Sequence, residues 1–173
     1  SLGVTSPTIN KYMEFLTRSF MVHKIEPHFF NIKKRLKKSP KFYIADTGIL
    51  HRLLRIKDYN QLLGHPVLGN AWETFVVNQV LALKPDDLDI WFYRTQSGVE
   101  MDFVFGRGLK PEVSAEIKFT SAPKTTRGMT TGINDLKTKK NFIITPYSEE
   151  YRIREDIIVC NITDFVKKHL QEI

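Results

Sequence analysis

A chain of 173 residues, 42% hydrophobic and 12% aromatic, can bury a core in one ordinary domain or two small ones, which excludes a disordered polypeptide. Lys and Arg number 26 against 19 Asp and Glu, a formal charge of +7 that favours a polyanionic partner, nucleic acid first, because phosphate neutralisation releases counterions. A lone cysteine, Cys160, excludes an internal disulfide and fits a cytoplasmic protein. No apolar run approaches the ~18 residues of a membrane-spanning helix, so no membrane partner is expected. The N-terminus also lacks the charged start and apolar stretch of a signal peptide. His23, His28, His51, His65 and His169 are scattered without the spacing of a zinc site.

The first segment, SLGVTSPTINKYMEFLTRSF, reads as the second half of a helix-turn-helix. Leu2-Gly3-Val4 supplies the turn, Ser6 the N-cap and Pro7 the first helical position. Ile9, Tyr12, Met13, Leu16 and Phe20 recur at helical spacing and predict one buried face. Thr8, Asn10, Lys11, Glu14 and Arg18 take the other surface, from which Lys11 would meet DNA. A helix-turn-helix has further helices before this turn, so the chain reads as part of a larger protein.

FMVHKIEP then predicts a short strand and KFYIAD a second, with Lys33, Lys34, Arg35, Lys37, Lys38 and Lys41 in the run between and into them. Strand, basic loop and strand after a recognition-type helix is the order of a winged helix, whose wing would offer six positive charges to a phosphate backbone. The bland alternative is a solvated charged loop. Asp46-Thr47-Gly48 opens a helix through Leu53-Leu54, and residues 1–58 are read as a partial winged helix with a linker helix.

From Tyr59 to Pro66 the apolar periodicity breaks, and Gly64, Pro66 and Gly69 mark a boundary to a second domain over residues 66–173. NAWETFVVNQVLAL predicts an amphipathic helix with Trp72, Phe75, Val76, Val80 and Leu83 on its apolar side. Strands follow at DIWFYRT, VEMDFVFG, VSAEIKFT, TKKNFIITP and EDIIVCNI, with a helix between Thr125 and Leu136 and a last one from about Thr163 to Glu172. The fold class is α/β.

Period-two alternation places Val99, Met101, Phe103 and Phe105 on one apolar face, with Glu100 and Asp102 opposite. In the next strand it turns Val113, Ala115, Ile117 and Phe119 inward and Ser114, Glu116 and Lys118 outward. Pairing the strands would gather Glu100, Asp102, Glu116 and Lys118 on one surface, beside a helix carrying Glu73. Such a set suits phosphodiester cleavage with Mg²⁺ or Mn²⁺. Asp102, Glu116 and the Ile117 carbonyl would bind the metal, with Glu73 joining directly or through water. Lys118 would orient the attacking water or meet charge developing on the phosphate. The alternative is a cross-strand ion-pair cluster, but three carboxylates against one lysine are poorly balanced without another cation.

Asp102, a fourteen-residue step and Glu116-x-Lys118 on adjacent strands resemble the PD-(D/E)xK signature, with Met101 in place of its proline. Glu73 matches the acidic residue often found in that superfamily's first helix. The resemblance implies a restriction-endonuclease-like mixed sheet flanked by helices, with Asp102, Glu116, Lys118 and Glu73 in catalytic roles. Over nearly the whole chain, LGVTSPTINKYMEFL, KSPKFYIADTGIL, LLGHPVLGNAWETFVVNQV and YRTQSGVEMDFVF…EIK resemble the C-terminal domain downstream of AAA+ ATPase modules in prokaryotes. No Walker motif occurs here, so ATP and an ATPase domain enter only as a neighbouring upstream part. Three functions follow as expectations: a metal-dependent DNA nuclease attached to an ATPase, a silent DNA-binding or regulatory module, or a protein-interaction module, each compatible with a homo-oligomer.

Overall fold

The computed structural model describes residues 3–29 and 39–173. Lys33, Lys34, Arg35, Lys37 and Lys38 of the expected wing, and Leu2 of the expected turn, lie outside the described residues.

Helix α1 (Ser6–Arg18) is capped by the extended Thr5, one residue before the expected Ser6, with proline in its first turn. It ends in a Schellman turn: Phe20 takes a left-handed φ of 59°, its N–H bonds the Thr17 carbonyl, and Met21 N–H bonds that of Leu16. The expected buried face is not buried. No residue of α1 is buried, and Ile9, Tyr12, Phe15 and Phe20 are exposed, because nothing among the described residues packs over that side.

The two short strands form an antiparallel ribbon, β1 (Val22–Ile25) on β2 (Lys41–Ile44), in register Val22↔Ile44 to Ile25↔Lys41. Helix α2 (Thr47–Leu53) starts as expected at Asp46, whose carboxylate accepts from Ile49 N–H. A short helix not expected from the sequence, α3 (Tyr59–Leu63), is capped in the same way by Asp58. Next comes α4 (Leu68–Leu83). It buries Ala71, Thr74, Val76, Val77 and Val80, whereas Phe75 and Leu83, assigned to its apolar side, are exposed.

The remaining chain supplies β3 (Asp89–Arg94), β4 (Glu100–Arg107), β5 (Lys110–Ile117), α5 (Arg127–Leu136), β6 (Lys140–Thr145), β7 (Tyr151–Arg154) and β8 (Ile157–Asn161). A helical end follows as α6 (Ile162–Asp164), a π turn and a 3₁₀ turn. Six strands make one mixed sheet in the order β3-β4-β5-β6-β8-β7. The β5–β6 and β6–β8 pairs are parallel and the other three antiparallel. The central β6 and β8 are buried on both faces, which explains their unbroken apolar sequences. One face packs with α4 and the C-terminal helical turns around Phe92, Phe103, Phe105, Phe142 and Phe165. The other gathers Met101, Val104, Ile143 and Val159 against Met129 and Ile133 of α5. The ribbon joins the first of these cores through Ile25 and Tyr43. It is also tied to β3, where His28 N–H bonds the Phe92 carbonyl and Phe92 N–H that of Glu26.

A β-bulge in β4 corrects the expected alternation. Its pairing with β3 passes from Trp91↔Val104 to Tyr93↔Met101, so β4 carries one more residue than β3 over this step. Met101 therefore sits in the α5-side core while Phe103 and Phe105 sit in the α4-side core, and the single apolar face is split.

At the β4–β5 turn, a Cβ on Gly106 would lie 2.0 Å from the Lys110 carbonyl oxygen, which is backbone and cannot move aside. On Gly132 it would meet the Met101 Cγ and Sδ at 2.7 and 2.8 Å, atoms of a flexible side chain. Gly106→Ala is expected to cost about 1–3 kcal/mol in urea denaturation and Gly132→Ala clearly less, by the usual penalty of overpacking. Equal losses would contradict this account of the turn.

Candidate functional site

The β4 bulge turns Glu100 and Asp102 toward α4, where β4 and β5 part beyond the Phe103↔Ala115 pair. There the Asp102 carboxylate takes the place of a strand carbonyl, accepting Ile117 N–H through Oδ2 at 2.9 Å. From α4, Glu73 reaches the same point, and from β2 so does Lys41. Lys41 Nζ lies 3.0 Å from Glu73 Oε1, 2.7 Å from Glu100 Oε1 and 3.3 Å from Asp102 Oδ1. Two residues along β2, on the same face, Tyr43 donates its hydroxyl to Glu73 Oε1 at 2.6 Å. Arg94 of β3 holds the other Glu100 oxygen at 2.7 Å. These groups, with Lys118 and Phe119 at the edge, line a cleft of about 720 Å³.

The structure thus brings together Glu73 and Asp102 of the expected set, with Glu100, and leaves Glu116 apart. Val113, Ala115 and Ile117 share the α4-side core, so alternation along β5 sets Glu116 on the opposite face, where it is almost fully buried. Lys118, just past the end of β5, forms an ion pair with it, with Nζ 3.0 Å from Glu116 Oε2. Lys11 lies exposed on α1. Lys41, counted in the sequence as the sixth charge of the basic run, is instead half-buried among the carboxylates as their counter-ion. The sequence reading missed Lys41, Tyr43 and Arg94 as site residues. The one available signal was the spacing Lys41-x-Tyr43, which sets two polar groups on one face of a strand. Among the described residues, no group of three or more His, Cys, Asp and Glu side chains is arranged to hold a metal ion, and Lys41 Nζ takes the centre of the carboxylate group.

Burial is the main force on the charges here. It pushes the Asp102 carboxyl up to about 6, with Glu73 adding to the rise, while Lys41 and the Ile117 N–H pull the other way. Burial would lower Lys41, but the charges of Asp102 and Glu73 outweigh it and hold the ammonium firmly protonated. Glu100 is also pushed up by burial, yet its bonds to Lys41 and Arg94 keep it below the usual carboxylate range. Burial, then Glu73, raises the Tyr43 hydroxyl, so it remains a donor. Burial lifts the Cys160 thiol to about 12, as fits inert packing.

Among known families, the one described as "Domain of unknown function (DUF4143)" matches residues 68–165, more than half of the chain. The chain belongs to this family. Residues 1–60 match a second, described as "Domain of unknown function (DUF8612)". Lys41 and Tyr43 thus come from the DUF8612 segment and Glu73, Glu100 and Asp102 from the DUF4143 segment. Two similar proteins are "Uncharacterized protein Rv2008c" of Mycobacterium tuberculosis and "Uncharacterized protein Mb2031c" of Mycobacterium bovis. Each is 37% identical over 158 residues, covering 91% of this chain. The chain spans 35% of the length of these curated relatives. No solved structure matches it. No helix among the described residues is long and apolar enough to cross a membrane.

Asp102 is easier to protonate folded than unfolded, since its ordinary value is 3.8. Its contribution to stability is therefore best below about pH 4 and is lost as pH rises through about 6. Asp102→Asn keeps an acceptor for Ile117 N–H without the charge. It is expected to stabilise the protein at pH 7.5, by about 3 kcal/mol at most, with the gain fading toward pH 4. Urea denaturation at both pH values reads this directly, and a destabilised variant at pH 7.5 would refute it.

Proposed function

We propose that the DUF4143 segment has a restriction-endonuclease-like fold and that its acidic cleft is a metal-dependent phosphodiesterase site acting on DNA. The order α4, three antiparallel strands, α5 and a parallel β6 supports the fold, being the order expected from the PD-(D/E)xK resemblance. The observation that carries the function is the convergence of Glu73, Glu100 and Asp102, from a helix and a bulged strand, on one cation position in a cleft.

Their carboxylate oxygens are the hard donors that Mg²⁺ or Mn²⁺ takes, so the residues fit such an ion once Lys41 yields its place. Glu73, Glu100 and Asp102 would hold it, and Glu116 in its present position would not. When bound, the ion would polarise a phosphate and make a coordinated water more acidic. Tyr43 fixes the Glu73 carboxylate and Ile117 N–H fixes that of Asp102, so both are oriented in advance. Lys118, on the cleft lining, supplies positive charge toward a bound phosphate. The ribbon after a recognition-type helix, with the basic run in its sequence, supports a partial winged helix that brings DNA to the cleft. The relatives extend well beyond the matched span, which leaves room for the upstream AAA+ ATPase implied by the sequence resemblance.

Lys41 itself favours a second reading. An ammonium already neutralises the cluster, as in a catalytically silent DNA-binding or regulatory module, or one that binds protein. Calorimetric titration with Mn²⁺ beside a supercoiled-plasmid nicking assay separates the two, with wild type and Asp102→Ala compared. The phosphodiesterase reading expects Mn²⁺-dependent nicking that falls about 100-fold or more in the variant. Mn²⁺ binding without nicking would favour the silent module, and no binding would refute the metal site.

A further inference from the structure

We propose that Lys41 is a built-in competitor for the cation position of the acidic cleft, so that the β1–β2 ribbon regulates divalent-cation entry through one side chain. This inference rests on the reading of the cleft as a cation site and adds what controls it.

An ammonium has three N–H donors, and Lys41 directs them at three carboxylates contributed by two other elements. A divalent ion taking its place would draw the three oxygens in from 2.7–3.3 Å to about 2.1 Å. The backbone of the ribbon is anchored independently of the ammonium. Tyr43 bonds Glu73, Asn78 Nδ2 donates to the Ile44 carbonyl at 3.1 Å, and Ile25 and Tyr43 lie in the core. The Lys41 side chain, by contrast, ends in an open cleft and is 16% exposed, on a stem of four flexible methylenes. The ammonium can therefore swing out without the ribbon leaving the sheet.

Charge favours the exchange. Three carboxylates against Arg94 leave two formal negative charges, the charge that one divalent cation carries and twice what Lys41 supplies. Lys41 thus blocks a position that it only half neutralises.

The test uses Mn²⁺ alone as probe, followed by loss of the free-ion EPR signal, on wild type, Lys41→Met, Lys41→Arg and Lys41→Met/Asp102→Asn. Lys41→Met is expected to bind one Mn²⁺ about tenfold or more tighter than wild type, since a positive charge within contact distance is removed. Lys41→Arg should bind no more tightly than wild type, and the double variant should lose most of the gain. Mn²⁺ should also raise the melting temperature of Lys41→Met more than that of wild type. Equal affinity of wild type and Lys41→Met would overturn the role of Lys41 and leave the cation site standing. No binding by any form would overturn both. Should Lys41→Met not fold, amine labelling of wild type decides. Mn²⁺ is expected to increase modification of Lys41 several-fold against that of the exposed Lys110, and unchanged labelling would overturn the proposal.

Discussion

One half-buried ammonium among three carboxylates fixes how the two segments of this chain meet. Lys41 and Tyr43 come from the ribbon, Glu73 from α4, and Glu100 and Asp102 from β4, so the contact joins the DUF8612 segment to the heart of the DUF4143 segment. Neither side is at ease alone. Without Lys41, three carboxylates crowd a cleft that water reaches only in part; without them, the ammonium is desolvated for nothing. Removing the lysine would leave three half-buried carboxylates without their shared counter-ion, a larger loss than a surface ion pair represents. The ribbon is thereby held to the sheet by charge as well as by Ile25, Tyr43 and the backbone bonds between Glu26, His28 and Phe92.

That contact depends on a backbone irregularity. With regular alternation, β4 would send Asp102 to the face opposite Phe103 and Phe105, away from α4. The extra residue in β4 lets Asp102 and Phe103 both serve the α4 side, while Met101 and Val104 pack on α5. Where β4 and β5 then part, Ile117 N–H would lose its strand partner, and the Asp102 carboxylate accepts it instead. One inserted residue thus opens the cleft, aims a carboxylate into it and satisfies the backbone it disturbs.

Much of this architecture is written locally. Helix α4, strands β3 to β6 and β8, the Asp46 cap and the ribbon all follow from periodicity, turn residues and β-branched runs. The edge strand β7 was not legible because Tyr-Arg-Ile-Arg is polar, exposed on most positions and paired on one side only. The bulge was hidden because VEMDFVF is apolar at every second position, a pattern that fits an unbroken strand equally well. The apolar stripe on α1 is real, but amphipathicity states only that a helix could bury one face, not that a partner lies there. Lys41 was the costliest misreading. A lysine in a basic run is solvated by default, and only the packing of the ribbon on α4 turns this one inward.

The composition of the cluster bears on which reading of the cleft is right. If its purpose were to pin the ribbon, Lys41 and Glu73 would suffice, since Tyr43 already orients Glu73 and Arg94 already neutralises Glu100. Asp102 adds a third carboxylate at a position that water reaches only in part. Natural sequences break local rules in this way chiefly where a site has work to do. An uncharged asparagine could accept Ile117 N–H equally well, so the hydrogen bond does not account for the carboxylate. What remains is its negative charge, directed with two others at one point that a lysine occupies and only half balances. That surplus is the charge that the proposed divalent ion would balance and that Lys41 leaves over.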